Sequence, residues 1–283
     1  MPTPVLETPV GLLVAERPGR AEALERFGID YCCGGKLTIR WFCKRHGLDP
    51  EAVLAAIDAA DRALVSTPAR HWPSAPMHEL IAHIVTTHHA YLRKTLPTLV
   101  ELADTVAEAH GAVHPELNEL AAILPGFSAE MLAHLDQEEQ VLFPLVVRME
   151  RGLEDRALGR RFLTQQLGGL EAEHEAAGGL LARMAALTDG FEPPSDACAS
   201  YEVLLKGLAA MAADTYRHVH KENSILFPRA AALIEGAIAP PAEARSSWTI
   251  VHPEKRPADP LRDEATRAMT HRGGLVSARV ELY

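Results

Sequence analysis

The feature that most constrains how this chain can fold is an eleven-residue motif that occurs twice. His134-Leu-Asp-Gln-Glu138-Glu-Gln-Val-Leu-Phe-Pro144 and His218-Val-His-Lys-Glu222-Asn-Ser-Ile-Leu-Phe-Pro228 both read H-x3-E, two residues, an aliphatic, then L-F-P. They lie 84 positions apart. A repeat that long implies a duplicated helix pair, and the partner helices should carry histidines in matching register. His89 precedes the first motif by 45 residues and His174 precedes the second by 44. Residues four apart stack on one helical face, so His134 points with Glu138 and His218 with Glu222. Four helices thus converge on His89, His134, Glu138, His174, His218 and Glu222.

The surrounding pattern supplies those helices. Apolar periodicity predicts four long segments, Met77 to His110, Pro115 to Met149, Ala157 to Leu187 and Asp196 to Ile234. Gly111, Gly152 and the turn from Phe191 to Ser195 separate them, and Pro125-Gly126 predicts a kink or break in the second. Short connections between four antiparallel helices specify an all-α, up-down-up-down bundle over 77–235. Residues 1–65 read as a small helical N-terminal domain of three short helices, Pro18 to Arg26, Lys36 to Arg45, and one starting at Asp49-Pro50-Glu51. Its turn is the vicinal cysteine loop Asp30-Tyr31-Cys32-Cys33-Gly34-Gly35. Residues 66–76, rich in proline, read as a linker, and 236–283 as an extended or disordered tail.

Four imidazoles with two carboxylates suit two transition-metal ions, imidazole as terminal ligand and carboxylate as bridge. Such a set leaves room for an oxo or hydroxo bridge and one exogenous ligand. A single H-x3-E is commonly a solvated ion pair; two in register, buried without cations, would carry a heavy desolvation cost. Periodicity places both His88 and His89 near the apolar face, and the repeat offset favours His89. By the same reasoning His83 faces solvent, and His220 lies off the metal face. Cys43 and Cys198 read as plain buried cysteines, while Cys32 and Cys33 read as an exposed thiolate pair suited to accepting iron or redox equivalents.

Composition closes off other classes. With 28 Lys+Arg against 38 Asp+Glu the net charge is −10, which argues against binding nucleic acid or an anionic membrane. No apolar run reaches the length of a membrane span. Four cysteines, two of them adjacent, do not make a disulfide scaffold. Met1-Pro-Thr-Pro4 shows no secretory leader, and a cytoplasmic location is expected.

With these residues in hand, the chain resembles the iron–sulfur cluster repair di-iron proteins, the RIC family. The likeness rests on the D-Y-C-C-G-G loop (Asp30 to Gly35), on W-x-S-A-P (Trp72 to Pro76) and on the bundle to about residue 235. It implies a haemerythrin-like fold, a non-haem di-iron centre on the six residues above with both glutamates bridging, and a cytoplasmic homodimer. It implies repair of iron–sulfur proteins damaged by oxidants or nitric oxide through iron donation, with Cys32 and Cys33 in transfer. Nitric oxide and oxygen are the implied small-molecule partners. Binding or sensing of those gases, or a nitric-oxide reductase activity, are the alternative readings. Oxygen-carrying haemerythrins place a second histidine four residues after the one in the third helix; here that position is Gly178, which predicts a more open and labile iron. Glu130 and Glu173 are candidates to line an iron exit path or to support the ligands from behind.

Overall fold

The computed structural model describes residues 5–63, 70–153 and 156–235; the tail expected to be extended or disordered falls outside the described residues. The described residues are helical and contain no strand, only an isolated bridge between Pro9 and Thr38.

The N-terminal unit holds four helices rather than three: α1 (Val10–Glu16), α2 (Arg20–Glu25), α3 (Ile39–His46) and α4 (Pro50–Ala63). Helix α1 escapes sequence reasoning because it is only seven residues long and carries a glycine and two β-branched residues, although Val10, Leu13 and Val14 lie on one buried face. Local chemistry fixes the other ends. Thr38 accepts from the Trp41 amide at the start of α3, Gly47 (φ 68°) closes it, and Asp49 accepts from the Glu51 amide (3.0 Å) at the start of α4. Val10, Leu24, Ile39, Val53 and Ile57 form a small core. Arg20 reaches across it to grip Asp61 with two hydrogen bonds of 2.9 and 2.8 Å.

The bundle comprises four rods. The first is α5 (Met77–His83) and α6 (Ala90–His110); the second α7 (Glu116–Gln137) and α8 (Phe143–Glu150). The third is α9 (Arg156–Leu187) and the fourth α10 (Ala199–Lys221) with α11 (Phe227–Ile234). Three rods are interrupted by a π-turn, at Ile84–His89, Glu138–Leu142 and Glu222–Leu226. The L-F-P sequence explains two of these. Pro144 and Pro228 have no amide for the carbonyls four residues back, and their rings would crowd those carbonyls. The helix widens instead, so the Phe143 amide bonds the Glu138 carbonyl and the Phe227 amide the Glu222 carbonyl, five residues back.

The break expected at Pro125-Gly126 is absent; α7 runs through both. Both are exposed while Leu124 and Phe127 are buried, so the carbonyl that Pro125 leaves without a donor can turn to water. Two apolar clusters fill the bundle. Leu92, Leu96, Leu120, Leu124, Leu181 and Leu208 belong to one, and Leu80, Ile84, Leu142, Val146, Leu170 and Leu226 to the other. Along every rod the six predicted ligands fall between the members of these clusters.

Candidate metal centre

All six predicted residues meet. His89, Glu138, His218 and Glu222 are fully buried, His174 nearly so, and His134 is 7% exposed. They form two groups that share both carboxylates. In the first, His89 Nε2 and His218 Nε2 lie 3.0 Å apart, facing Glu138 Oε2 (3.4 and 3.8 Å) and Glu222 Oε1 (4.0 and 2.8 Å). In the second, His134 Nε2 and His174 Nε2 lie 3.0 Å apart, with Glu138 Oε1 3.4 Å from His134 and Glu222 Oε2 3.4 Å from His174. Each carboxylate therefore offers one oxygen to each histidine pair. Three of the ligands, His89, Glu138 and Glu222, sit in the π-turns, where the widened backbone aims them inward.

Outer hydrogen bonds set the imidazoles. His89 Nδ1 donates to Glu139 (2.8 Å), His134 Nδ1 to Glu173 (2.6 Å) and His174 Nδ1 to Asn223 Oδ1 (3.0 Å). A proton held on Nδ1 leaves a bare lone pair on Nε2. Arg93 bonds Glu139 (3.0 Å) and Asp136 (2.7 Å), anchoring the first of these partners. Phe143 and Phe227, both from L-F-P, stack on His89 and His174.

The donor set fits cations. Bare nitrogens face carboxylate oxygens, and both oxygens of Glu138 and Oε2 of Glu222 are buried with no hydrogen-bond partner. An acceptor-lined cavity of this kind is costly unless positive charge fills it. Without cations, protons share the work. Burial opposes the charge on Glu138, but the imidazoles of His134 and His89, each 3.4 Å away, hold it below the usual carboxylate range. Burial, with the charge of Glu138, pushes Glu222 up to about 8. Burial depresses His174 and His218, and it also acts on His134, where the carboxylates of Glu138, Glu173 and Glu222 together outweigh it and raise the imidazole to about 9.

These shifts set a pH dependence. Cations must displace the protons on Glu222 and His134, so uptake releases protons and tightens from pH 6 to 9, by about tenfold per pH unit for each proton displaced. Calorimetry in buffers of different ionisation enthalpy measures the released protons; binding that is flat across this range contradicts the assignment. The metal-free fold has the opposite slope between pH 6.5 and 9. Glu222 and His134 hold protons there more tightly folded than unfolded, so stability falls as pH rises through their folded values.

Several surrounding residues differ from expectation. His88, one position from a ligand, turns away: Nδ1 donates to Asp214 (2.9 Å) and Nε2 accepts from Lys221 (2.9 Å). His83 does not face solvent freely but stacks on Trp72. His220 is indeed off the metal face, yet it is buried, with Nε2 donating to the Gly11 carbonyl (2.8 Å). Cys198 is exposed rather than buried, at the start of α10 and 3.1 Å from His110 Nε2. Cys43 is buried as expected.

The cysteine loop needs the largest correction. Cys32 is 4% exposed, and only Cys33 is partly open. Hydrogen bonding to Cys33, burial and the charge of Asp30 push the Cys32 thiol well up, so it is a buried thiol and not an exposed thiolate. Asp30 ties the loop, accepting from the Cys32 and Cys33 amides (2.9 Å each) and the Gly34 amide (3.0 Å). Cys33 Sγ lies 3.4 Å from the carbonyl oxygen of His174. A Cβ on Gly178 would stand 3.6 Å from that sulfur, in ordinary contact, so the third rod faces the cysteine loop at this position. A cavity of about 540 Å3 beside Cys33 is lined by Asp30, Lys36, Glu171 and Asn223. A separate cleft of about 300 Å3 reaches His134 and His174 past Glu130 and Glu173.

Glu139 and Asn223 are the functional residues that the motif comparison passes over. They stand 84 apart, directly after the two glutamates shared by both groups, and each bonds the histidine of the preceding rod. The repeat itself carried that signal.

Fold and site together define a haemerythrin-like protein, an all-α bundle with a cation-binding centre. In agreement, a family model described as "Hemerythrin HHE cation binding domain" matches residues 80–230, and ScdA_N, a domain of unknown function (DUF542), matches residues 6–61. The chain is similar to the iron-sulfur cluster repair protein YtfE of Edwardsiella ictaluri, with 36% identity over 226 residues, 79% of this chain and 96% of the relative. The proteins of the same name from Citrobacter koseri (32%, 80% of this chain and 97% of the relative) and Yersinia pseudotuberculosis (33%, 78% and 95%) are similar over the same extent. The chain belongs to this family of iron–sulfur cluster repair proteins.

Proposed function

We propose that this protein repairs iron–sulfur clusters damaged by oxidants or nitric oxide. It holds two iron ions in the bundle as cargo and passes iron to the damaged cluster, with Cys32 and Cys33 taking part in transfer. One observation carries this reading: an acceptor-lined pocket in which each carboxylate serves both histidine pairs, directly behind a thiol-bearing loop. The relatives' name supplies the direction of the chemistry. Iron, when bound, supplies the exchangeable cation that a depleted cluster lacks.

The chain's own residues do the rest. Glu139, Glu173 and Asn223 hold three imidazoles with Nε2 inward. Glu138 stays ionised to meet a cation, and Glu222 gives up its proton as the cation arrives. At Gly178 the third rod faces the cysteine loop. All four cysteines are free, which fits a reducing compartment. Among the described residues no helix is long and apolar enough to cross a membrane. On the family resemblance we place the protein in the cytoplasm as a homodimer.

The test is reactivation. The iron-loaded protein, mixed anaerobically with a [4Fe–4S] enzyme inactivated by nitric oxide or peroxide, is expected to restore activity beyond free iron at equal concentration. Glu138→Leu is expected to restore none. Reversible spectral changes with oxygen or nitric oxide, without reactivation, would replace repair by gas binding.

A further inference from the structure

The two repeat-related orienting residues differ in one respect. Glu139 is anchored inside the bundle by Arg93. Asn223 is tied outward: its Oδ1 accepts from His174 Nδ1 (3.0 Å), and its Nδ2 donates to the backbone carbonyl of Cys32 (3.4 Å). One amide thus bridges the cysteine loop and a ligand of the second histidine pair. Its neighbours pin the same junction. His220 bonds the Gly11 carbonyl, and a Cβ on Gly35 would come within 3.0 Å of Ser224 Oγ. Cys33 Sγ also meets the His174 carbonyl.

We propose that Asn223 is a positioning residue that transmits the bonding state of the Cys32–Cys33 thiol pair to the cation ligand His174. The sulfurs lie 3.7 Å apart, against the ends of both contacts to His174. Whatever pulls them onto a common partner shifts the Cys32 carbonyl, and Asn223 must then give up either that carbonyl or His174. Losing His174 frees the imidazole to rotate, which weakens the His134–His174 pair and leaves His89 and His218 undisturbed. The loop then acts as a release catch for one of the two cations. This rests on the metal centre proposed above.

Phenylarsine oxide bridges vicinal thiols without an oxidant: the arsenic–oxygen bond is replaced by two arsenic–sulfur bonds, and the two thiol protons leave with the oxygen as water. The full chain, loaded anaerobically with iron(II), is treated with this reagent, the adduct is confirmed by mass, and release to a colorimetric iron(II) chelator is timed. In the native sequence, bridging is expected to speed one of two release phases about tenfold. Asn223→Asp keeps an acceptor for His174 and lacks the donor to Cys32, so its release rates, whatever their own baseline, should not respond to the bridge. Asn223→Ala should release that phase quickly with or without it. Bridging that leaves the native rates unchanged, or that speeds Asn223→Asp as much as native, overturns the coupling while sparing the metal centre. A native chain that takes up no iron overturns both.

Discussion

Replacing Glu138 by leucine is expected to abolish binding of both cations in one step, taking iron from two per chain to almost none. The reason is the sharing of its oxygens: Oε1 faces His134 and Oε2 faces His89 and His218, so the side chain belongs to both groups. His218→Ala, by contrast, removes a ligand from one group only and is expected to retain about one cation. The metal-free protein should lose stability as well. Glu138 is held below the usual carboxylate range beside His134, whose imidazole its charge raises, so leucine removes one partner of a buried charged pair. Removing one partner of such a pair costs about 3–5 kcal/mol. Metal analysis and denaturant unfolding in chelator read the two effects separately. A variant that keeps two irons contradicts the site, and one that is no less stable without metal contradicts the energetic argument.

Gly35→Val is expected to lift the N-terminal unit off the bundle. A Cβ at Gly35 would stand 2.7 Å from the Tyr31 carbonyl and 3.0 Å from Ser224 Oγ, with Gly11 Cα at 3.4 Å. A serine hydroxyl can rotate away, but a backbone carbonyl in a loop that Asp30 ties at three amides has little room to yield. Overpacking of this kind costs about 1–3 kcal/mol, and here it falls on one small junction. The measurable result is rapid proteolysis of residues 5–63 while the bundle stays folded. Gly126→Ala serves as the comparison: it lies in α7 with nothing within 4 Å of the added carbon, and should be neutral or stabilising by up to about 1 kcal/mol. Equal protease resistance in the two variants would show that the loop is not held by close packing.

The six converging side chains were legible because duplication wrote them twice. His134 with Glu138 and His218 with Glu222 need only helical stacking. His89 and His174 need only the assumption that the partner helices repeat as well. The choice of His89 over His88 came from register, and the structure agrees, sending His88 to Asp214 and Lys221. Where single-residue rules were applied without their surroundings they failed. Pro125 reads as a helix breaker, but its position on an exposed face of α7 removes the penalty. Cys32 reads as exposed because it follows a short helix and comes just before two glycines; Gly34 instead lets the loop close on Asp30 and Phe42, and Gly35 lets it press against Ser224.

The four rods, the six inward side chains and the prolines behind two of the π-turns can be read along the chain, because helical periodicity and a missing amide act within a few residues. Only the tertiary structure decided which histidines pair across the bundle, 89 with 218 and 134 with 174. It also decided that the thiol loop seats behind His174, joined to it through Asn223. Those contacts link residues far apart in the chain, and which of them form depends on how rods and loop fill the space between them.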